Sequence, residues 1–237
     1  MLLAIDKPSW ITSYDVIRRL KRHFPKQKIW HSGTLDPLAT GLLIIGIWSG
    51  TKQLFRLQWL DKSYETTIDF AQTSDTWDVD YREMIEKYTV TTKEATVWIK
   101  KNETFFAAPN QLAIEEQLAT LLPERELPLT PFSAKKKDGK KLYELARSGQ
   151  ILTETRVMKT IDTKVLSYDF PLLQLSLHVG SGTYIRSIGY WLGQQFGLGG
   201  ILTQLRRTSV GQFDLASMKL EPLGDSWLMA CEITFED

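Results

Sequence analysis

The hydrophobic and polar positions of the chain follow two different periods, and together they predict a protein in which strands and helices are interleaved. An apolar run at residues 2–5 predicts a strand. Apolar residues then recur at helical spacing up to Pro25, which ends that predicted helix, and Thr12 or Ser13 is suited to be its N-cap. A continuous apolar run at residues 41–47, containing β-branched side chains, predicts a buried strand.

The rest of the chain continues this mixture of periods. Residues 88–100 fit either an extra strand or the start of a helix. The other predicted elements are loops at 26–40, 73–84 and 125–141, helices at 51–57, 112–122, 142–147 and 183–196, and strands at 62–70, 157–170 and 172–179. Because strands also come in adjacent pairs, the pattern favours an α+β fold over a doubly wound parallel one. We expect a mixed or mostly antiparallel central sheet flanked by helices and loops.

Composition narrows the class of protein. The chain has 237 residues, of which 43% are hydrophobic and 24% are charged, as is typical of a soluble globular protein. No apolar run is long enough to span a bilayer, and the first residues lack the features of a signal peptide, so we expect a cytoplasmic protein without membrane contact. A single cysteine (Cys231) and three widely separated histidines predict no metal site.

Charge is segregated along the chain, although the formal net charge is only +1. Residues 1–60 carry nine basic and three acidic side chains, and residues 131–210 carry twelve basic and five acidic ones. The segments between and after these two are acidic. A polyanion is attracted by the local charge of a region and not by the net charge of the chain. The segregated charge therefore fits a nucleic-acid partner as well as an ordinary solvated surface.

Two glycine-containing segments resemble nucleotide-binding motifs but depart from them. The segment from Gly46 to Lys52 has three residues between its glycines, where a phosphate-binding loop needs four. Gly180-Ser181-Gly182 lacks the third glycine of a dinucleotide-binding fingerprint, and no Gly-x-Ser-x-Gly segment is present. The sequence therefore gives no support for nucleotide hydrolysis, hydride transfer or serine-hydrolase chemistry.

One polar segment combines a carboxylate with residues that restrict and shape the backbone. Asp36 precedes Pro37, which biases it toward an extended conformation, and the predicted buried strand follows directly. Gly33 and Gly41 flank the segment and permit close approach of a ligand or unusual backbone angles. From the residues alone, Asp36 fits either a reactive carboxylate or an ordinary Asp–Pro turn.

The segment from His31 to Gly41 reads His-Ser-Gly-Thr-Leu-Asp-Pro-Leu-Ala-Thr-Gly. Further segments accompany it along the chain: Asp6-Lys7-Pro8, Thr12-Ser13 with Asp15-Val16, Lys62-Ser63-Tyr64, Phe132-Ser133-Ala134-Lys135 with Gly139, Leu142-Tyr143 and Ala146-Arg147, Gly182-Thr183-Tyr184-Ile185-Arg186, and Leu205-Arg206-Arg207-Thr208. In this order the segments resemble the TruB family of tRNA pseudouridine synthases, and the first is similar to the family signature Gly-His-x-Gly-Thr-Leu-Asp-Pro-x-Ala-x-Gly. The resemblance implies a pseudouridine synthase catalytic domain at residues 1–214, with an RNA-contacting insertion at about 108–150.

The resemblance also implies a role for each matching residue. Asp36 would be the nucleophile in a reaction that detaches uracil from its ribose, turns it and rejoins it through C5; no atom is gained or lost, so no cofactor is implied. Arg186 would pair with Asp36 and favour its charged form. Tyr64 would stack on the base and is the candidate for removing the C5 proton. Tyr184 would pack against the base or hold Tyr64, and Leu205 would line the apolar side of the pocket, although a core leucine describes it almost equally well.

The implied partner is the T-stem-loop of tRNA, with the uridine at conventional position 55 flipped out of the loop. His31 is similar to the family histidine that lies beside the flipped nucleotide, and Lys135 and Arg206 would contact RNA phosphates. We expect a monomer that needs no obligate protein partner. Residues 215–237 would form a short C-terminal tail without the RNA-binding domain of longer relatives, so we expect weaker tRNA affinity.

The chain departs from the family pattern at Trp10 and Trp30, which stand at glycine positions, and at residues 74–81, where an acidic stretch lacks its final glycine. Two other functions fit the sequence: a tRNA-binding or tRNA-folding protein whose catalysis is secondary or lost, and the same reaction on another RNA. The complete set of Asp36, Tyr64 and Arg186 favours the enzyme, since a binding protein has no need of it.

Overall fold

The structure is a computed structural model that describes residues 1–79, 86–87, 89–93, 96–101, 104–130, 136–137, 140–141, 154–224 and 228–235. The chain divides into two compact units, the first formed by residues 1–65 and 204–237 and the second by residues 66–203. Both divisions fall inside strands, so the chain passes from one unit to the other without a linker.

The elements alternate along the chain as the hydrophobic pattern predicts. In order they are β1 (Leu2–Lys7), α1 (Ser13–His23), β2 (Ile29–His31), β3 (Thr40–Ile47), a 3-10 helix (Trp48–Lys52), α2 (Leu54–Gln58), β4 (Lys62–Asp69), β5 (Gln72–Thr73), β6 (Glu86–Lys87), β7 (Thr89–Lys93), β8 (Thr96–Lys101), β9 (Thr104–Ala107), α3 (Gln111–Ala119), β10 (Glu124–Pro128), β11 (Lys136–Lys137), β12 (Lys140–Lys141), β13 (Thr155–Asp169), β14 (Leu172–Val179), α4 (Ile185–Gln195), β15 (Ile201–Val210), β16 (Phe213–Asp214), a 3-10 turn (Leu215–Ser217), β17 (Glu221–Pro222) and β18 (Met229–Ile233).

The first unit is built on a mixed sheet. Strand β1 lies between β3 and β18 and is antiparallel to both. Strand β2 is antiparallel to β3, and the Asp36 loop connects these two strands. Strand β15 is parallel to β3, with Arg206 opposite Thr40 and Arg207 opposite Gly41. This parallel pair among antiparallel ones confirms the predicted α+β class with a mixed sheet.

The core of the first unit follows from the alternation of its strands. Leu2 and Ala4 of β1 and Leu42 and Ile44 of β3 point to one side, where they meet a buried cluster. The cluster is completed by Leu54, Leu57, Val210, Phe213 and Leu215. Helix α1 buries its apolar stripe as its 3.6-residue period predicts, and Thr12 and Asp15 close a capping box at its start.

Among its described residues, the second unit contains antiparallel strands and the helices α3 and α4. Strand β13 lies between β10 and β14 and is antiparallel to each, and β7, β8 and β9 form a separate antiparallel set. Helix α4 approaches the following turn closely: a Cβ added at Gly193 would lie 1.8 Å from the carbonyl oxygen of Gly199. Close packing of this kind is open to glycine alone, and it fixes the helix that carries Arg186.

Most predicted elements are confirmed, and the differences are strands that the pattern does not predict, of which β15 (Ile201–Val210) is the longest among the described residues. The predicted loop at 26–40 contains β2, and the predicted loop at 125–141 contains part of β10 together with β11 and β12. Between residues 88 and 100, the described residues 89–93 and 96–100 lie in strands, which favours the strand over the helix. The predicted helix at 142–147 lies outside the described residues.

Among the described residues, no helix combines the length and the apolar character that a membrane crossing requires. Within the same residues, no three His, Cys, Asp or Glu side chains are grouped in a way that could hold a metal ion.

Candidate active site

Hydrogen bonds hold the backbone on both sides of Asp36. The Ser13 hydroxyl at the start of α1 accepts from Leu35 N (2.9 Å) and donates to Leu35 O (3.1 Å). On the other side, Trp10 N donates to Pro37 O at 2.6 Å. The segment that leads into α1 therefore fixes both neighbours of Asp36, and the carboxylate is presented on a rigid loop while the residue stays half-buried.

A buried lysine supports the same loop. The Lys7 side chain is 0% exposed, and its ammonium donates to the carbonyl oxygens of Pro8 (2.9 Å), Ile11 (2.7 Å) and Pro37 (3.3 Å). Burial lowers the pKa of Lys7 to about 8, while the charge of Asp36 acts in the opposite direction. The ammonium and the Asp36 carboxylate therefore lie close enough to influence each other.

A buried arginine closes the loop at its two ends. Arg207 is 2% exposed; its Nε donates to Leu42 O at 2.7 Å and its Nη2 donates to Gly33 O at 3.2 Å. Gly41 has a φ of 98°, and a Cβ there would lie 2.2 Å from the Arg207 carbonyl oxygen, so the close approach of β3 and β15 requires glycine. The sequence identified Arg207 by resemblance, but its role as a clamp depends on contacts that no local pattern reveals.

Four further residues with a proposed role lie in the same unit as Asp36. Tyr64 on β4 and Leu205 on β15 are buried, at 8% and 7% exposure. Arg206 forms a two-point ion pair with Asp6, at 2.9 and 2.7 Å. The Asp6 carboxylate would therefore compete with an RNA phosphate for Arg206. The phosphate contact of Arg206 stays a prediction.

His31 is the fourth of these residues, and its ring is partly buried at the end of β2. It stacks on Trp30 with ring centroids 5.3 Å apart and planes 13° from parallel. Its Nδ1 is buried and has no hydrogen-bond partner among the described residues. Burial, and secondly the Arg207 guanidinium, lower the pKa of His31, so the imidazole is neutral at pH 7.

In the second unit, the Arg186 guanidinium is held in a buried polar cluster. Its Nη1 donates to Thr76 O (2.9 Å) and to the Thr130 hydroxyl (3.2 Å), and its Nε lies 3.8 Å from the Asp78 carboxylate. Trp77, between two of these partners, stacks on Tyr190 with ring centroids 4.0 Å apart. These contacts orient the guanidinium before any substrate binds.

Asp78 is a residue of this cluster to which the sequence assigned no role. The acidic stretch at residues 74–81 was recognised as a departure from the family pattern, yet spacing alone did not single out one carboxylate in it. In the structure, the Ser74 hydroxyl donates to Asp78 O at 2.8 Å, and Asp78 is 7% exposed. A buried acid facing a buried arginine is the signal that identifies it.

The predicted site residues are thus distributed over two units. Asp36, His31, Tyr64, Leu205 and Arg206 belong to the first. Arg186 and Tyr184, the residue that precedes α4, belong to the second, so the pairing of Arg186 with Asp36 stays a prediction. Lys135 lies outside the described residues.

Comparison with solved structures defines the class of fold. The chain is similar to a Cbf5–Nop10–Gar1 complex, with a TM-score of 0.64 and 21% identity over 90% of this chain and 50% of that one. A second match is an H/ACA RNP bound to a substrate RNA containing 2'-deoxyuridine, with a TM-score of 0.61 and 20% identity over 90% of this chain and 48% of that one. The chain spans about half the length of these structures and has a pseudouridine synthase fold.

Sequence comparison defines the family within that class. The model described as TruB family pseudouridylate synthase (N terminal domain) matches residues 21–185. The tRNA pseudouridine synthase B of Corynebacterium jeikeium is 35% identical over 92% of this chain and 68% of its own length, and that of Chloroherpeton thalassium is 34% identical over 90% and 84%. This chain belongs to the TruB family.

Proposed function

We propose that this chain isomerises a uridine of tRNA to pseudouridine, at conventional position 55 in the T-loop. The observation that carries the proposal is the Asp36 loop, which is hydrogen-bonded on both sides and lies beside the buried ammonium of Lys7. Family membership and relatives that carry the name tRNA pseudouridine synthase B support the reaction and the RNA.

Asp36 is the nucleophile of the proposed reaction. Its carboxylate forms a covalent bond to the substrate, and the bond between the ribose and N1 of uracil breaks. The base turns, a bond forms between the ribose and C5, and Asp36 is released. The proton lost from C5 is balanced by one gained at N1, so the reaction needs no oxidant, reductant or cofactor.

The other site residues hold the base and the nucleophile. Tyr64 stacks on the uracil and accepts the C5 proton, and Leu205 supplies the apolar wall. Arg186 stabilises the charged form of Asp36, and its existing contacts to Thr76 and Thr130 keep the guanidinium oriented. Tyr184 packs against the base or Tyr64.

The RNA is bound through its phosphates and through the space that the flipped base leaves. His31, stacked on Trp30 and neutral at pH 7, lies beside the flipped nucleotide. Lys135 in the insertion at about 108–150, and Arg206, contact phosphates of the T-stem-loop. We propose that the chain does this as a monomer, without an obligate protein partner.

The test is the incubation of the purified protein with unmodified tRNA transcripts, followed by carbodiimide mapping of pseudouridine. We expect product at position 55 with the parent chain and none with Asp36→Asn, because the amide is not a nucleophile. Asp162→Asn, which changes an exposed aspartate on β13, is the matched control and should retain full activity. Equal product from the parent and Asp36→Asn would contradict the role of Asp36, and product at other positions or in other RNAs would change the substrate.

A further inference from the structure

Residues 10–14 form a segment that brackets Asp36 and carries two exposed aromatic rings. Trp10 is tied by its backbone to Pro37, and Ser13 is tied by its side chain to Leu35, so the segment lies against both neighbours of the nucleophile. Within it, Trp10 is 50% exposed and Tyr14 is 54% exposed. Two large aromatic side chains are therefore presented to solvent at the edge of the Asp36 loop.

The backbone of Trp10 has a conformation that a tryptophan rarely adopts. Its φ is 65°, in the left-handed region that glycine adopts freely and a side chain with a Cβ adopts at an energetic cost. A half-exposed ring recovers little of that cost through burial. Strained residues of this kind are found most often at binding and catalytic sites, where the side chain contributes through a ligand.

The charge around the segment indicates what that ligand is. Helix α1 begins three residues after Trp10 and carries basic side chains on its outer surface. These are Arg18, Arg19, Lys21 and Arg22. Its one acidic residue, Asp15, is engaged by Thr12 in the capping box and by Arg18 in an ion pair. Exposed aromatic rings next to a basic surface are the combination that binds unpaired nucleotides, by stacking on the bases and by attraction of the phosphates.

We propose that Trp10, assisted by Tyr14, is a stacking site for an unpaired base of the RNA substrate that lies next to the target uridine. The proposal rests on the proposed function, because it places the target uridine at Asp36. It adds a contact at a position where the sequence departs from the family pattern, so the site is a feature of this chain. An apolar protein partner fits less well, since two separate rings beside four basic side chains leave no continuous apolar surface.

The test compares Trp10→Gly with Trp10→Phe and with Trp48→Gly. Trp48 is a matched control: it also has a left-handed backbone (φ 51°) and is 70% exposed. It follows the opposite end of β3 from the Asp36 loop, roughly 25 Å along the strand. Affinity for an unmodified T-stem-loop RNA is measured in the Asp36→Asn background, where no turnover occurs, and KM, kcat and Tm are measured in the active protein.

We expect Trp10→Gly to raise Kd and KM for the RNA by about 5- to 160-fold, the range for the loss of one stacked base. At saturating RNA, kcat should change far less than KM, and Tm should not fall, because glycine relieves the left-handed backbone. Trp10→Phe should retain most of the affinity, and Trp48→Gly should bind RNA as the parent does. When 2-aminopurine replaces each T-loop base in turn, the parent protein should quench its fluorescence at one position, and Trp10→Gly should not.

Other results would overturn the proposal. Unchanged Kd and KM in Trp10→Gly would show that no base stacks there, and an equal loss in Trp10→Gly and Trp10→Phe with a lower Tm would show a structural role instead. The affinity measurements do not depend on catalysis. If the parent made no pseudouridine, a selective loss of RNA affinity in Trp10→Gly would still support the stacking site while the proposed reaction failed.

Discussion

Two buried cations, Lys7 and Arg207, determine how the Asp36 loop is held. Both donate to main-chain carbonyl groups, and between them they reach Pro37, Gly33 and Leu42, which span the loop. Removing a cation from water is unfavourable unless strong hydrogen bonds replace the lost hydration. This unfavourable burial of two cations occurs next to Asp36, the proposed nucleophile. At Arg207 the forked guanidinium reaches two carbonyls at once, a geometry that a lysine does not reproduce.

At the residue scale, the lowered pKa of Lys7 predicts a pH dependence of the rate. Burial lowers the pKa to about 8 from its ordinary 10.5, Asp36 raises it and Arg207 lowers it. As the pH rises through about 8, Lys7 in the folded protein loses its proton, and the positive charge beside Asp36 disappears. We therefore expect kcat for tRNA isomerisation to fall along an alkaline limb centred near pH 8, measured with saturating RNA.

Unfolding at high pH does not explain such a fall in kcat, because Lys7 makes the folded state more stable, not less, as the pH rises. Between about pH 8 and 10.5 the unfolded chain binds this proton more strongly than the folded one, so Lys7 makes the fold relatively more stable as the pH rises. Lys7→Arg should abolish the limb, since its charge persists. Lys62→Met should keep it: Lys62 also has a pKa near 8, but it donates to Gln58 and Leu60. A limb that persists in Lys7→Arg would contradict the prediction.

At the scale of the element, the start of helix α1 performs two separable tasks. Thr12 caps the helix, whereas the next residue, Ser13, is hydrogen-bonded to Leu35, the neighbour of the proposed nucleophile Asp36. Thr12→Ala removes the cap and should lower stability by about 1 kcal/mol without a comparable loss of kcat. Ser13→Ala leaves the backbone groups of Leu35 without their partner, which should cost about 1–3 kcal/mol and also lower kcat.

Thermal denaturation and single-turnover rates at the same temperature separate these two effects. Ser13→Thr, which keeps a hydroxyl, should recover most of the rate lost in Ser13→Ala. If Thr12→Ala and Ser13→Ala reduced kcat equally, the helix as a whole would position the loop, and the hydrogen bonds to Leu35 would have no separate role.

The strands show where sequence patterns stop being informative. Strand β3 is predicted because a continuous apolar run is a local signal, and β4 is predicted by the alternation of its residues. Strand β2 has three residues, too few for a period to emerge. Strand β15 contains two successive arginines, Arg206 and the buried Arg207, which is not a pattern that predicts a strand. Its pairing with β3 depends on residues about 165 positions away along the chain.

At the scale of the whole molecule, the same limit applies to the candidate site. The family resemblance singles out Asp36, because the residues around it also fit an ordinary Asp–Pro turn. The supports of its loop were not recognisable, because Ser13, Lys7 and Arg207 act on residues that are 22, 30 and 174 positions away along the chain. The sequence thus indicates the proposed reacting group but not the residues that hold it, since those contacts form only when the chain folds.

The segregation of charge predicts how the whole molecule responds to salt. With a net charge of +1, a uniform surface would attract RNA weakly, whereas a basic region beside Asp36 releases counterions from each phosphate that it neutralises. If the protein contacts three phosphates, raising KCl from 50 to 200 mM should reduce its affinity for RNA by roughly 20-fold. Arg22→Gln, on the exposed surface of α1, should lower the slope of log affinity against log salt by about 1. Lys219 forms an ion pair with Glu221, and its substitution Lys219→Gln is the control that should leave this slope unchanged. An affinity independent of salt would contradict recognition through this basic region.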